Sequence, residues 1–151
     1  MAPIVPPTHT GPASLIVIPA RLHSTRLPRK LLLKETGKPL LQHTYEAAQK
    51  ARLPYDVCVA TDSDEIQTAV QSFGGWVEMT SSAHRCGTDR VAEVASRVQQ
   101  ADIIVNVQGD EPEIEGHAID LAISLLEENP QAVMSTLATP IRSRTALEDP
   151  A

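Results

Sequence analysis

The chain has 151 residues, a length that fits one α/β domain. Its net charge of −6 argues against general nucleic-acid binding, which draws on an excess of Lys and Arg along phosphates. Hydrophobic residues make up 42%, yet the aromatics are only Tyr45, Tyr55, Phe73 and Trp76, so Val, Ile, Leu and Ala must fill the core. No apolar run approaches the length of a membrane span. The N-terminus carries neither the basic segment nor the apolar core of a secretory signal. Cys58 and Cys86 have neither disulfide-framework nor metal-ligand spacing. The expectation is a cytoplasmic, reduced protein with no nucleic-acid or membrane partner.

In chain order, residues 1–13 hold four prolines and little that can be buried, and they read as a disordered tail preceding a single domain over 14–151. Residues 15–18, apolar without alternation and rich in β-branched side chains, predict a strand buried on both faces of a parallel sheet. The loop that follows carries Arg21, Ser24, Thr25, Arg26, Arg29 and Lys30 between Pro19 and residue 31. Leu40, Leu41, Thr44, Ala47, Ala48 and Ala51 recur on one helical face after Pro39. A second buried strand at 56–60 follows. Next come a helix opened by residues 61–65 and stopped at Gly74-Gly75, and a short strand at 76–79. Residues 80–88 read as a polar loop, and Val91, Val94, Ala95 and Val98 repeat at helical spacing. Residues 102–107 form the most β-branched strand of all, which ends in Gln108-Gly109-Asp110-Glu111-Pro112. A helix from about 115 to 128 and a fifth strand at 132–138 complete the pattern. Strands alternating with helices imply right-handed crossovers and a three-layer α/β/α sandwich around a mainly parallel sheet.

Ligands of open α/β sheets sit at the carboxyl edge of the strands, where the first loop concentrates its cations. A solvated loop is the plain alternative for each cation taken singly. Three within ten residues, Arg21, Arg26 and Lys30, with Ser24 and Thr25 as donors, point instead to phosphate: Arg gives bidentate contacts and Lys a mobile charge. Neither a Walker loop nor a dinucleotide glycine fingerprint is present. Asp110 follows Gly109 at the end of the most buried-looking strand, where a carboxylate could share a Mg²⁺ with phosphates held by the first loop. Asp62 with Glu65 reads as a helix cap, His84 as an ordinary loop histidine, and Asp89 and Arg90 as first-turn helix charges.

Four motifs, I-P-A-R-L-H-S-T-R-L-P-R-K-L (18–31), A-T-D (60–62), H-R-C-G-T-D-R (84–90) and N-V-Q-G-D-E-P (106–112), in this order, resemble the 3-deoxy-manno-octulosonate cytidylyltransferases, the CMP-Kdo synthetases of lipopolysaccharide synthesis. The resemblance runs from about Leu15 to the end. It implies a Rossmann-like nucleotidyltransferase fold, and a reaction of CTP with Kdo giving CMP-Kdo and pyrophosphate, with Mg²⁺ as cofactor and a homodimer as the family's assembly. Carried over residue by residue, Ala20, Arg21, Ser24, Arg26 and Lys30 fall on the triphosphate loop and Gly87 and Thr88 near the nucleoside. Gln108 falls near the sugar acid, and Asp110 on a Mg²⁺ ligand; Arg21, Lys30 and Asp110 are the expected catalytic set. Cys86 stands where the family usually has Ser. The resemblance also implies a longer protein, of which this chain would be the nucleotide-binding portion. Two alternatives stay open: a cytidylyltransferase for another sugar acid, such as a sialic-acid relative, and a non-catalytic nucleotide-binding module.

Overall fold

The computed structural model describes residues 12–22, 27–141 and 143. Most of the tail read as disordered lies outside the described residues, as do Ser24 and Arg26.

Strand β1 (Ser14–Ala20) is buried along its whole length. It lies between β2 (Asp56–Thr61) and β4 (Ile103–Asn106), with β3 (Trp76–Met79) outside β2; the order is β3-β2-β1-β4 and every pairing is parallel. Alternate side chains of β1 and β2 face opposite layers. Ile16, Ile18, Val57 and Val59 pack under α1 (Leu40–Ala48), α2 (Asp64–Ser72) and α4 (Gly116–Glu128) through Leu41, Tyr45, Ile66, Val70, Ile119 and Ile123. Leu15, Val17, Cys58 and Ala60 face α3 (Gly87–Arg97) through Val91, Val94 and Val98. The steps from β1 to β2 to β3 run one way and place α1 and α2 on one face. The return to β4 places α3 on the other, as right-handed crossovers require. Burial pushes the Cys58 thiol well above its ordinary range, so it acts as a small hydrophobe.

Pro19 sits inside β1 without breaking the ladder. Val17 turns its carbonyl toward Val107 N; two residues on, Pro19 faces the same way, past the point where β4 pairing ends. Its missing N–H therefore costs no sheet hydrogen bond.

Four expectations need correction. Residues 132–138 form no strand: Val133 is 99% and Met134 78% exposed, and these apolar side chains have no sheet neighbour that would make β-propensity count. β4 is an edge strand, half-buried at 103–105 and exposed at Asn106, rather than the most buried one; that place belongs to β1. Helix α3 starts at Gly87, inside the stretch read as loop, because Cys86 and Asp89 form a capping box: Asp89 N donates to Cys86 Sγ (3.4 Å) and Cys86 N to Asp89 Oδ2 (3.2 Å). The thiol thus fills the capping role that a hydroxyl would take. Helix α2 is capped by Ser63, whose Oγ accepts from Ile66 N, leaving Asp62 for another partner.

Helix α4 docks on the end of α1 through Gly116, where an added Cβ would lie 2.6 Å from the Ala51 nitrogen and the Lys50 carbonyl carbon. Asp120 Oδ1 completes the joint by accepting from Arg52 N and Leu53 N at 2.8 and 3.0 Å. Backbone cannot yield as a side chain would, so Gly116→Ala should destabilise the fold by about 1–3 kcal/mol, the usual cost of overpacking. Urea unfolding checks this, and a wild-type midpoint would mean that α4 can shift freely.

Candidate active site

A sheet of order β3-β2-β1-β4 reverses direction between β1 and β4, and the crevice at their carboxyl ends is the topological switch point where such sheets bind ligands. Ala20 is the buried last residue of β1. Arg21, the next residue, is partly buried and donates from Nη2 to the His84 carbonyl at 3.2 Å. Its Nε is buried with no hydrogen-bond partner among the described residues.

After residue 26 the chain turns through Arg29, a non-glycine residue in the left-handed region (φ 58°, ψ 25°), into a 3-10 turn, Lys30–Leu32. That conformation costs roughly 1–2 kcal/mol, and Arg29 pairs with Glu65 across the rim. Lys30 thereby faces the loop after β4. Its Nζ lies 2.7 Å from Asp110 Oδ2, with both side chains near two-fifths exposed. Eighty residues apart in sequence, the two candidates stand in direct contact.

The position of Asp110 is set from below. Thr44 Oγ1, buried on α1, donates to the Gly109 carbonyl at 2.9 Å. A Cβ on Gly109 would crowd Leu31 Cδ1 and the Pro19 oxygen at 3.3 Å, so glycine allows the loop to close on β1. Gln108 is exposed beside it and donates from Nε2 to Asn106 Oδ1 at 3.2 Å.

The Gly87-Thr88 segment begins α3 on the opposite face of β1. A Cβ on Gly87 would meet the Pro19 ring at 3.2 Å, so this first turn abuts the end of β1 beside Arg21; Thr88 is exposed. Arg21, Lys30, Gly87, Thr88, Gln108 and Asp110 therefore share one edge of the sheet.

A second set of residues, not foreseen as functional, holds that edge in shape. Arg90 is fully buried; it pairs with Asp62 Oδ2 at 2.9 Å and donates to Thr80 Oγ1, tying α3 to the ends of β2 and β3. Arg90 falls four residues before Val94, on the buried stripe of the helix, and that spacing was the signal available in the sequence. Glu93 accepts from Ser81 N at 2.9 Å and pairs with His84 and Arg97, so it clamps the loop whose carbonyl meets Arg21. The Ser81 N–H, followed by the hydrogen bond to His84, holds the Glu93 carboxyl below the usual carboxylate range. A depressed carboxylate adds stability that is present above its unfolded pKa, about 4.3, and lost as pH falls through the folded value. Glu93→Gln should therefore flatten the stability loss between about pH 5 and 3, read as urea midpoints against pH; an unchanged acid limb would remove the clamp.

Among the described residues, no group of three or more His, Cys, Asp or Glu could hold a metal by itself. Asp110 already has a cation against its carboxylate in the Lys30 ammonium. One exposed carboxylate at the switch point fits Mg²⁺, which commonly takes one or two protein carboxylates and fills the rest of its shell with ligand oxygens and water. No helix among the described residues is long and apolar enough to cross a membrane.

A doubly wound α/β domain with its candidate residues at the switch point is an architecture that binds nucleotides among other ligands, and comparison with known proteins narrows it to the cytidylyltransferases. A family profile described as cytidylyltransferase matches residues 15–151, and the chain belongs to that family. Its relatives include the 3-deoxy-manno-octulosonate cytidylyltransferase of Geobacter sulfurreducens, 58% identical over 84% of this chain and 50% of the relative. The enzyme of that name from Rhodopirellula baltica is 49% identical over 90% of this chain and 54% of the relative. Among solved structures, CMP:2-keto-3-deoxy-manno-octonic acid synthetase complexed with CTP superposes with a TM-score of 0.75 at 45% identity, covering 78% of this chain and 48% of that one. A cytidylyltransferase from Leptospira borgpetersenii follows at 0.67 and 28%, covering 77% of this chain and 49% of that one. The chain spans about half the length of the curated relatives it matches.

Proposed function

We propose that this chain is the nucleotide-binding portion of an enzyme that transfers CMP from CTP to 3-deoxy-D-manno-octulosonate, giving CMP-Kdo and pyrophosphate for lipopolysaccharide synthesis in the cytoplasm. The observation that carries the reading is the meeting of the first loop and the β4 loop at the switch point, with Lys30 and Asp110 2.7 Å apart. The names of the relatives, and the CTP held by the solved synthetase, support the choice of nucleotide and acceptor.

In this reading Arg21, Ser24, Arg26 and Lys30 bind the triphosphate through charged hydrogen bonds, and Ala20 lets the chain pass close beneath it. Gly87 and Thr88 lie against the nucleoside, and Gln108 contacts the sugar acid. Asp110 would hold Mg²⁺ together with ligands from the rest of the full-length, homodimeric protein, and a bound ion would supply neutralisation of charge on the phosphates. Arg21 and Lys30 add charge stabilisation at phosphorus. Calorimetric titration with Mg²⁺ present should give tighter binding for CTP than for ATP or GTP. Equal affinity for all three would remove base recognition and leave a general triphosphate binder.

A further inference from the structure

We propose that Glu93 and His84 are positioning residues that act through Arg21: together they hold the loop carbonyl against which the Arg21 guanidinium is set for a phosphate. The inference rests on the nucleotide reading above and names residues which that reading leaves out. Arg21 leaves the end of β1 on a long stem, and among the described residues its guanidinium makes one hydrogen bond, from Nη2 to the His84 carbonyl at 3.2 Å. Its Nε is buried without a described partner and adds no hold. The direction of the charge is therefore decided by where residue 84 stands.

Residue 84 belongs to the segment between β3 and α3, in which Ser81, Ser82, Ala83, Arg85 and Cys86 are exposed and His84 is half-buried. A segment packed so lightly takes its place from polar anchors rather than from a core. Glu93, on α3, supplies them from one atom. Its Oε2 accepts from Ser81 N at 2.9 Å and pairs with the His84 ring through Nε2, so both ends of the stretch 81–84 close on a single oxygen. Oε1 pairs with Arg97, which also donates from Nη1 to the Met79 carbonyl at 2.7 Å and so ties the carboxylate to β3. A chain of contacts thus runs from β3 and α3 through Glu93 and His84 to Arg21. An arginine oriented in advance gives up less rotamer freedom on meeting an anion than one that the anion must order.

The test combines calorimetric titration of the 151-residue chain with CTP and Mg²⁺, and nitrogen relaxation of the Arg21 Nε–H measured without ligand. His84→Ala deletes the ring and keeps the carbonyl, whereas Glu93→Ala deletes both anchors. Each should loosen the Arg21 Nε–H and weaken CTP roughly two- to tenfold, the fold-change equivalent of ordering one long side chain on binding. Glu93→Gln should recover most of the wild-type affinity: its amide oxygen can replace Oε2 for both partners, and Arg97, 47% exposed, can turn to water. In an Arg21→Met background the penalties of Glu93→Ala and His84→Ala should vanish, which a general loss of stability would not bring about. Penalties of unchanged size in that background overturn the proposal, as does an Arg21 Nε–H as rigid in these variants as in wild type. If Glu93→Ala does not fold, His84→Ala carries both measurements, since the Ser81 bond to Glu93 and the cap of α3 remain. If wild type binds no CTP, the nucleotide reading fails, and the relaxation measurement still decides whether Glu93 and His84 hold Arg21.

Discussion

Replacing Asp62 with alanine should lower the stability of the domain by about 3 kcal/mol, near the lower end of what breaking a buried ion pair costs. Arg90 is fully buried on α3, and Asp62 is its carboxylate partner at 2.9 Å. Removing the acid strands an arginine that cannot deprotonate and has only the Thr80 hydroxyl left of its described partners. The Asp62 side chain is 24% exposed, so water entering the vacated space moderates the loss. Arg90→Met should cost distinctly less. It removes the buried charge and keeps an unbranched apolar stem, while Asp62 remains wet enough to be solvated. The double variant should then be more stable than Asp62→Ala alone, with a coupling energy of about 1–3 kcal/mol in the cycle. Urea unfolding of the four proteins measures all of this. An Arg90→Met loss as large as that of Asp62→Ala would mean that packing around the guanidinium stem, rather than its charge, holds α3 to the sheet.

The fold was legible where one rule dominated. β1 and β2 read correctly because two-sided burial leaves no polar alternation to confuse the pattern. The helical stripes of α1 and α3 read correctly because each buries one face. Boundaries were missed where side-chain capping decides them, as with Cys86, whose sulfur does what Ser, Thr or Asp usually does at that position. Residues 132–138 were missed for a different reason: a β-rich run becomes a strand only when a neighbour accepts its hydrogen bonds, and the pattern of the run does not contain that neighbour.

Within the site, the sequence exposed the residues that carry charge and hid those that place them. Lys30 and Asp110 stood out by type and by position after a strand, yet their contact depends on β1 and β4 being neighbours, which is a property of strand order. Thr44 looked like a minor member of an apolar stripe, and only its distance to the Gly109 carbonyl shows what it fixes. Arg90 looked like a first-turn helix charge because charged residues are almost never fully buried unless paired, and its partner Asp62 lies just past the end of β2, far away in sequence.

Lys30→Ala should weaken CTP by about 1.5–3 kcal/mol, the usual worth of a hydrogen bond to a charged group, or roughly ten- to more than a hundredfold. The figure is a net one. The lysine leaves Asp110 to reach the phosphates, but an exposed pair of this kind returns only about 0.2–1 kcal/mol, so the phosphate contact should dominate. Because the lost contact is charge on phosphate, the penalty should grow along the series cytidine, CMP, CDP and CTP, and cytidine should bind the variant as it binds wild type. Raising the salt concentration should shrink the penalty, since both lysine and ligand are reached by solvent. Calorimetric titration of the four ligands against both proteins separates this from damage to the fold, which would weaken cytidine and CTP alike. An equal loss for cytidine would place Lys30 in the support of the nucleoside segment, and the triphosphate would then have to be held by Arg21 and its neighbours in the first loop.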